Sequence, residues 1–513
     1  MSRRLAVALA LVAVAAVSGG IVAIGVAVRA DDAAPGPPST AVRGPSAPGT
    51  SPPATTVRPP ARDAGGDWPV FGYDAARTNA DLRPTGVTAA SVAGLRRRVI
   101  ALPGTVDSSP IFLHDVRIGG RRRDAFFMTT TYGRTLALSP AGRILWTFTP
   151  PGYPSVAGSA QITTATPAAD PGRRFLYAAS PDGLIHKLAV GSGREQRDGG
   201  WPARVTLLPG REKIASALNV RGRSVYVTTG GYIGDAPPYQ GHVVRIERGD
   251  GRIAAVFNTL CAGVHRLQQP ASCPDSDSAI WGRAGAVIDP ASGEILVATG
   301  NAPFDGRTAW GDSILALRPD ASGVSHSYTP SNQADLDSSD LDLGSSAPAI
   351  LRAGPLVAQA GKDGVLRLVD LGARGTGALG GELQAVPTPG GGAVFTALAV
   401  WRRPGRPPML FLANGSGTAA YRLAGAGSAA RLVSAWSNDR PGTSPVLAGG
   451  VLYVYDPGGG LAAYAPADGR LLASLPAGSG HWSSPIVADG VIALPVGDAN
   501  DHATTGEIDL YSR

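Results

Sequence analysis

Eight times between residues 108 and 485 the chain returns to the same kind of opening, a pair of small residues often followed by proline. The openings are Ser108-Ser109-Pro110, Ala165-Thr166-Pro167, Ser216-Ala217, Gly285-Ala286, Ser345-Ser346-Ala347-Pro348, Thr396-Ala397, Thr443-Ser444-Pro445 and Ser483-Ser484-Pro485. After each comes a short strand pattern, a turn, a VYV-like run, a glycine turn, an LxAL-like run, and a last strand. Units of roughly 40–50 residues built this way are propeller blades. The seventh reads most cleanly, TSPVLAGGVLYVYDPGGGLAAYAPADGRLLASLPAG (443–478), with turns at AGG, DPGGG and ADGR. No stretch carries the period of an amphipathic helix of useful length. With 43% hydrophobic residues the chain can build a core, and 69 glycines and 44 prolines without a collagen period supply many tight turns.

The last block, from His481, supplies only three strands before Arg513, which would leave an open sheet edge. LRRRVIALPG (95–104) has the form of a fourth strand, like RILWTFTPPG (143–152). The expected fold is therefore all-β: an eight-bladed β-propeller of four-stranded antiparallel blades, residues 67–513, closed by an N-terminal strand that completes the last blade.

Ahead of it, Arg3-Arg4 precede an uncharged run from Leu5 to Val28. Such a run serves either as a cleaved signal peptide or as an N-terminal membrane anchor, so residues 1–30 predict an extracytoplasmic protein, secreted or tethered to the membrane through residues 5–28. Residues 31–66, rich in Pro, Ala, Ser and Thr, are expected to form a disordered linker. The net charge of +7 is dispersed over an arginine-rich surface, which excludes nucleic acid as the expected partner. Cys261 and Cys273, the only cysteines, are expected to clip a loop by a disulfide. No GxSxG, HExxH or phosphate loop is present. The seven histidines show no metal-ligand spacing; His481 opens a blade and His242 falls near the axis, neither with a partner visible in the sequence.

DWPVFGYDAARTN (67–79), the SSP blocks, IWGRAGAVIDPASGEILVATGNAPFDG (280–306), WGDSILALRPD (310–320), YTPSNQADLDSSDLDLGSSAP (328–348) and GKDGVLRLVD (361–370) together resemble the bacterial propellers with pyrroloquinoline quinone (PQQ)-type repeats, the quinoprotein alcohol dehydrogenase-like family. The blade-docking motif AxDxxTGxxxW of those proteins is degenerate here, as in ALSPAGRILW (137–146). The resemblance implies a cofactor funnel on the axis. Trp281 falls on the tryptophan that stacks under the quinone, Asn301 on the calcium-binding asparagine, and Lys362 on the cation at the quinone oxygens. Asp342 is the best match for the base, with Asp340 as the alternative, and Asp235 is the nearest candidate for the acidic calcium ligand. The chemistry is coherent: an indole face suits a planar, electron-poor ring system, calcium takes hard oxygens, and a cation stabilises charge on the reduced quinone.

Two departures separate the chain from the dehydrogenases. The adjacent Cys-Cys pair over the cofactor is absent, and no clean acidic ligand precedes Asn301. These departures favour a cofactor-free exported propeller, a monomer that serves as a binding or assembly platform for a protein or cell-envelope partner. The alternative is a Ca/PQQ-dependent dehydrogenase oxidising an alcohol or sugar. Convergence of Trp281, Asn301, Asp342 and Lys362 on one axial funnel separates the two.

Overall fold

In the seventh repeat the apolar runs become the strands Val446–Ala448, Val451–Asp456, Gly460–Tyr464 and Leu471–Pro476, paired antiparallel in that order. The first three are mostly buried, whereas the fourth alternates and presents one face to solvent. Burying a large side chain such as Tyr453 or Leu452 stabilises by about 1.5–3 kcal/mol relative to exposure. The computed structural model describes residues 66–513, and the unit repeats there as eight small sheets, an eight-bladed propeller. The expected export segment and nearly all of the linker lie outside the described residues. Among the described residues no helix is long and apolar enough to cross a membrane.

Every opening read in the sequence stands just ahead of the innermost strand of a blade. Small residues belong there because eight sheets converge on one axis. Hydroxyls at or just ahead of several openings also stitch neighbouring blades together. Thr163 and Thr164 donate to the carbonyls of Ile214 and Ala215 at 2.6 and 2.7 Å, and Ser345 to that of Val394 at 2.7 Å. Thr443 donates to that of Ser483 at 2.7 Å, and Ser109 to that of Ser484 at 3.1 Å, joining the first blade to the eighth.

The ring closes as expected. Strand Arg96–Leu102 pairs antiparallel with Gly506–Ser512 from Arg96↔Ser512 to Leu102↔Gly506, and Arg97 Nε lies 2.9 Å from the buried Asp509 carboxylate. Two sheets carry a fifth strand: Ala80–Asp81 lies parallel to Val446–Ala448, and Ala203–Arg204, like Glu195–Gln196, pairs antiparallel with Leu184–Ala189 at the edge of the second blade. The segment that begins DWPVFGYDAARTN crosses the inner strands a few residues past their openings. Phe112 and Trp68 bond each other, Ala169 donates to Pro69, Ile288 to Ala75, Val400 to Thr78 and Leu447 to Asn79, each at 2.8 Å. Buried Arg77 donates to the carbonyls of Phe71, Leu218 and Ala284 beneath the axis. This segment seals the end of the propeller away from the openings.

The degenerate docking motif still docks. Trp146, on the outer strand of the first blade, donates from Nε1 to Val190 O at 2.9 Å, and Trp436, on the sixth, to Pro466 O at 3.0 Å. Each indole covers a glycine of the neighbouring blade, Gly193 or Gly469, both with positive φ, where a Cβ would overlap the ring.

Candidate functional site

At the open end of the ring two kinds of connection come together: turns between second and third strands, and links from a fourth strand to the next first strand. They enclose a cavity of about 380 Å³. Asn301 and Lys362 lie on turns of the fourth and fifth blades; Trp281, Asp340 and Asp342 lie on links. Trp281, Asp340, Asp342, Lys362 and Asp235 all line the cavity.

Asn301, Asp340, Asp342 and Lys362 form one bonded group. Asp342 Oδ1 accepts the Asn301 backbone N–H at 2.7 Å, and its Oδ2 lies 2.6 Å from Lys362 Nζ. Asp340 Oδ1 accepts from Asn301 Nδ2 at 3.0 Å and from Lys362 Nζ at 2.5 Å. Nζ also stands 5.5 Å from the Trp281 ring centroid, within cation–π range. Gly300 makes this approach possible, since a Cβ there would overlap Asp342 Oδ1. Fully buried Asp312 ties the two contributing segments together. Its N–H donates to Gly300 O at 2.9 Å, and its Oδ1 accepts the Leu343 N–H at 3.0 Å.

The two candidate bases differ in environment. Burial raises the Asp342 carboxyl above its ordinary range, outweighing the pull of Lys362. Asp340 is largely exposed, and although burial works the other way, its bonds from Lys362 and Asn301 hold it below that range. Burial works against the Lys362 ammonium too, but the two carboxylates keep it raised and charged. Two carboxyls pushed apart in this way differ chemically: the raised one exchanges a proton more readily near neutral pH, and the lowered one keeps its charge. Burial, with the charges of Asp342 and Asp337, also pushes Asp312 up to about 8.

Asp235 sits apart from that group. It is exposed on a glycine-rich loop at the rim with positive φ, and its Oδ1 accepts from Tyr239 Oη at 2.8 Å. Cys261 and Cys273 form the expected disulfide, with Cα atoms 6.0 Å apart, and neither lines the cavity.

The rest of the cavity was not foreseen. Trp281 stacks on Trp482 with centroids 5.9 Å apart, and Trp482 stacks on Phe395 at 4.9 Å and on His481 at 4.1 Å. Arg283 donates to Asp107 Oδ1 at 2.6 Å and to Asp107 O at 2.7 Å, and His481 Nδ1 bonds Asp107 Oδ2 at 2.8 Å. Lys213 lines the same cavity, and burial together with the Arg283 charge lowers it to about 8. A sequence signal for this set exists: Asp107, Lys213, Arg283, Phe395, His481 and Trp482 each fall one to three residues ahead of a blade opening.

No protein family matches the chain by sequence, and no curated protein does. Solved structures match the fold. The quinohemoprotein alcohol dehydrogenase of Comamonas testosteroni superposes with a TM-score of 0.62 at 17% identity, over 88% of this chain and 81% of that one. Alcohol dehydrogenase ADHIIG of Pseudomonas putida HK5 gives 0.64 at 15% identity, over 88% and 81%. A europium-containing methanol dehydrogenase gives 0.63 at 15% identity, over 88% and 99%. The chain has the eight-bladed propeller fold of the quinoprotein alcohol dehydrogenases, as its repeats imply.

Proposed function

We propose that the chain is a calcium- and PQQ-dependent dehydrogenase that oxidises an alcohol or a sugar outside the cytoplasm. The observation that carries this reading is the gathering of Trp281, Asp342 and Lys362 at one axial cavity, with Asn301 bonded to Asp340 and Asp342 beside it. The donor set fits the implied groups. Among the described residues, buried Asn301 Oδ1 has no hydrogen-bond partner, and it sits beside two carboxylates that already converge on a cationic ammonium. Hard amide and carboxylate oxygens suit calcium. Asn301 and Asp340 would hold the ion, Trp281 would support the quinone's flat face, and Lys362 would meet its oxygens. Bound there, PQQ supplies a two-electron acceptor for the hydride of an alcohol carbon.

The chain's own residues supply the rest. Asp342, raised by burial, takes the hydroxyl proton; a base with its pKa nearer the working pH is the better acceptor. Asp340 keeps its charge and balances Lys362. The aromatic row from Trp281 to Phe395 gives a planar ligand an apolar floor. The assignment outside the cytoplasm rests on the apolar run after Arg3-Arg4, and a monomer suffices because the cavity is built from one chain. Loaded with PQQ and calcium, the full chain should reduce an artificial dye when given an alcohol or an aldose, and Asp342→Asn should not. Saturable loading without turnover on any alcohol or sugar would remove the dehydrogenase assignment.

A further inference from the structure

Three histidines hold a buried carboxylate, and one of them differs from the others. His186 bonds Glu195 through Nδ1 at 2.5 Å and Ser180 through Nε2 at 2.8 Å; His242 bonds Asn258 through Nδ1 at 2.6 Å and Glu212 through Nε2 at 2.9 Å. Both rings are buried inside blades with both nitrogens engaged, so their role is structural. His481 is bonded on one side only. Nδ1 meets Asp107 at 2.8 Å, whereas Nε2 has no hydrogen-bond partner among the described residues. The ring is 21% exposed and lines the axial cavity, held flat against Trp482.

Asp107 is fixed on every side. Arg283 bonds Oδ1, the Ala499 N–H bonds Oδ2 at 3.2 Å, and the side chain is buried. Burial alone would raise this carboxyl, yet Arg283, His481 and the Ala499 amide hold it well below the ordinary range. A permanently ionised carboxylate accepts and never donates. The imidazole nitrogen facing it must therefore carry the hydrogen, so in the ring's neutral form the lone pair lies on Nε2.

We propose that the Asp107–His481 pair is a second acid–base site of the axial cavity, taking the proton of a hydroxyl-bearing ligand at His481 Nε2. In that step the ligand's O–H bond breaks, the Nε2–H bond forms, the electron pair stays on oxygen, and Asp107 stabilises the imidazolium. Asp107 is the positioning residue. The charged and titratable groups facing the ring are Asp107, Asp498 at 3.7 Å, Arg283 and Lys213. Asp107, His481 and Asp498 could also approach one metal ion, since their ligand atoms lie within 4.8 Å of one another. Arg283 and Lys213 already offset both carboxylates, which favours a proton over a divalent cation. The site goes beyond the dehydrogenase reading and does not require the quinone.

The test uses the full chain without cofactor. Long-range proton–nitrogen NMR on histidine-labelled protein, with His481 assigned by its loss in His481→Gln, should show the Nδ1–H tautomer with a bare Nε2 once the ring is neutral. Asp107→Asn, whose amide donates where the carboxylate accepted, should move the hydrogen to Nε2. Diethyl pyrocarbonate, mapped by mass spectrometry, should modify His481 at least tenfold faster than His186 or His242. An Nε2–H tautomer in the parent chain, or modification no faster than that of the two buried rings, would overturn the proposal. If Asp107→Asn does not fold, the parent tautomer and the modification rates decide it alone.

Discussion

The two walls of the axial cavity are built differently. The Asn301–Asp340–Asp342–Lys362 wall comes from two adjacent blades, and its members are at most 61 residues apart in sequence. The Asp107–Arg283–His481 wall is drawn from across the ring; Asp107 and His481 are 374 residues apart and meet because the eighth blade closes onto the first. The first wall combines two carboxylates and an ammonium around an unpartnered amide oxygen. The second is a fixed carboxylate between an arginine and an imidazole. On the proposed reading the first holds a cation beside a redox ring, and the second adds a separate acid–base group. A fold that brings many links to one axis can place both in a single cavity.

The largest effect expected on this contrast is that of Asp342→Asn. It removes the raised carboxyl and leaves Asp340, so dye-linked turnover should fall by about 10²–10⁴-fold, while quinone affinity measured by fluorescence changes far less. If Asp340→Asn instead proved the more damaging to turnover, the two carboxylates would exchange roles.

Next is Asp312→Asn. The Asp312 carboxyl stays protonated in the folded chain up to about pH 8, whereas in the unfolded chain it ionises near 3.9. Its contribution to stability is therefore fully present below about pH 4 and is lost as pH rises through the folded value. The asparagine keeps an acceptor for the Leu343 amide and does not ionise. Denaturation should find the variant more stable than the parent at pH 8 by about 5 kcal/mol, and equal to it below about pH 4. A constant difference at all pH values would mean that Asp312 is not held neutral.

The smallest is Trp281→Ala, which should weaken quinone binding about tenfold, roughly 1.4 kcal/mol, with the ring of blades intact by circular dichroism. An equal loss from Trp482→Ala would place the quinone across the whole aromatic row rather than on Trp281.

Much of the fold was legible because the physics of a propeller axis is written locally. Only small residues fit where eight inner strands converge, so Ser109, Thr443 and their counterparts recur at blade spacing. The docking tryptophans were harder to see, because Trp146 needs only a glycine in the next blade, Gly193, and not the full motif. The first wall was legible through the family resemblance of IWGRAG, ATGN, DLDLG and GKDG, but the bonds among its members were not. Nothing in the sequence shows that Lys362 bridges Asp340 and Asp342, or that Asp312 secures both segments from behind. Asp235 fell in the right loop, yet Gly234 and its own positive φ carry it to the rim, where Tyr239 takes its carboxylate. The second wall escaped notice because its residues share no motif, only a place just ahead of each opening. Its members become neighbours through ring closure alone.

The central claim, that the first wall is a quinone site, is tested most directly by titrating the full chain with PQQ, with and without calcium, while following tryptophan fluorescence. The account predicts saturable quenching that requires calcium and weakens in Trp281→Phe. No quenching at tens of micromolar PQQ, or quenching indifferent to calcium and to Trp281, would contradict it.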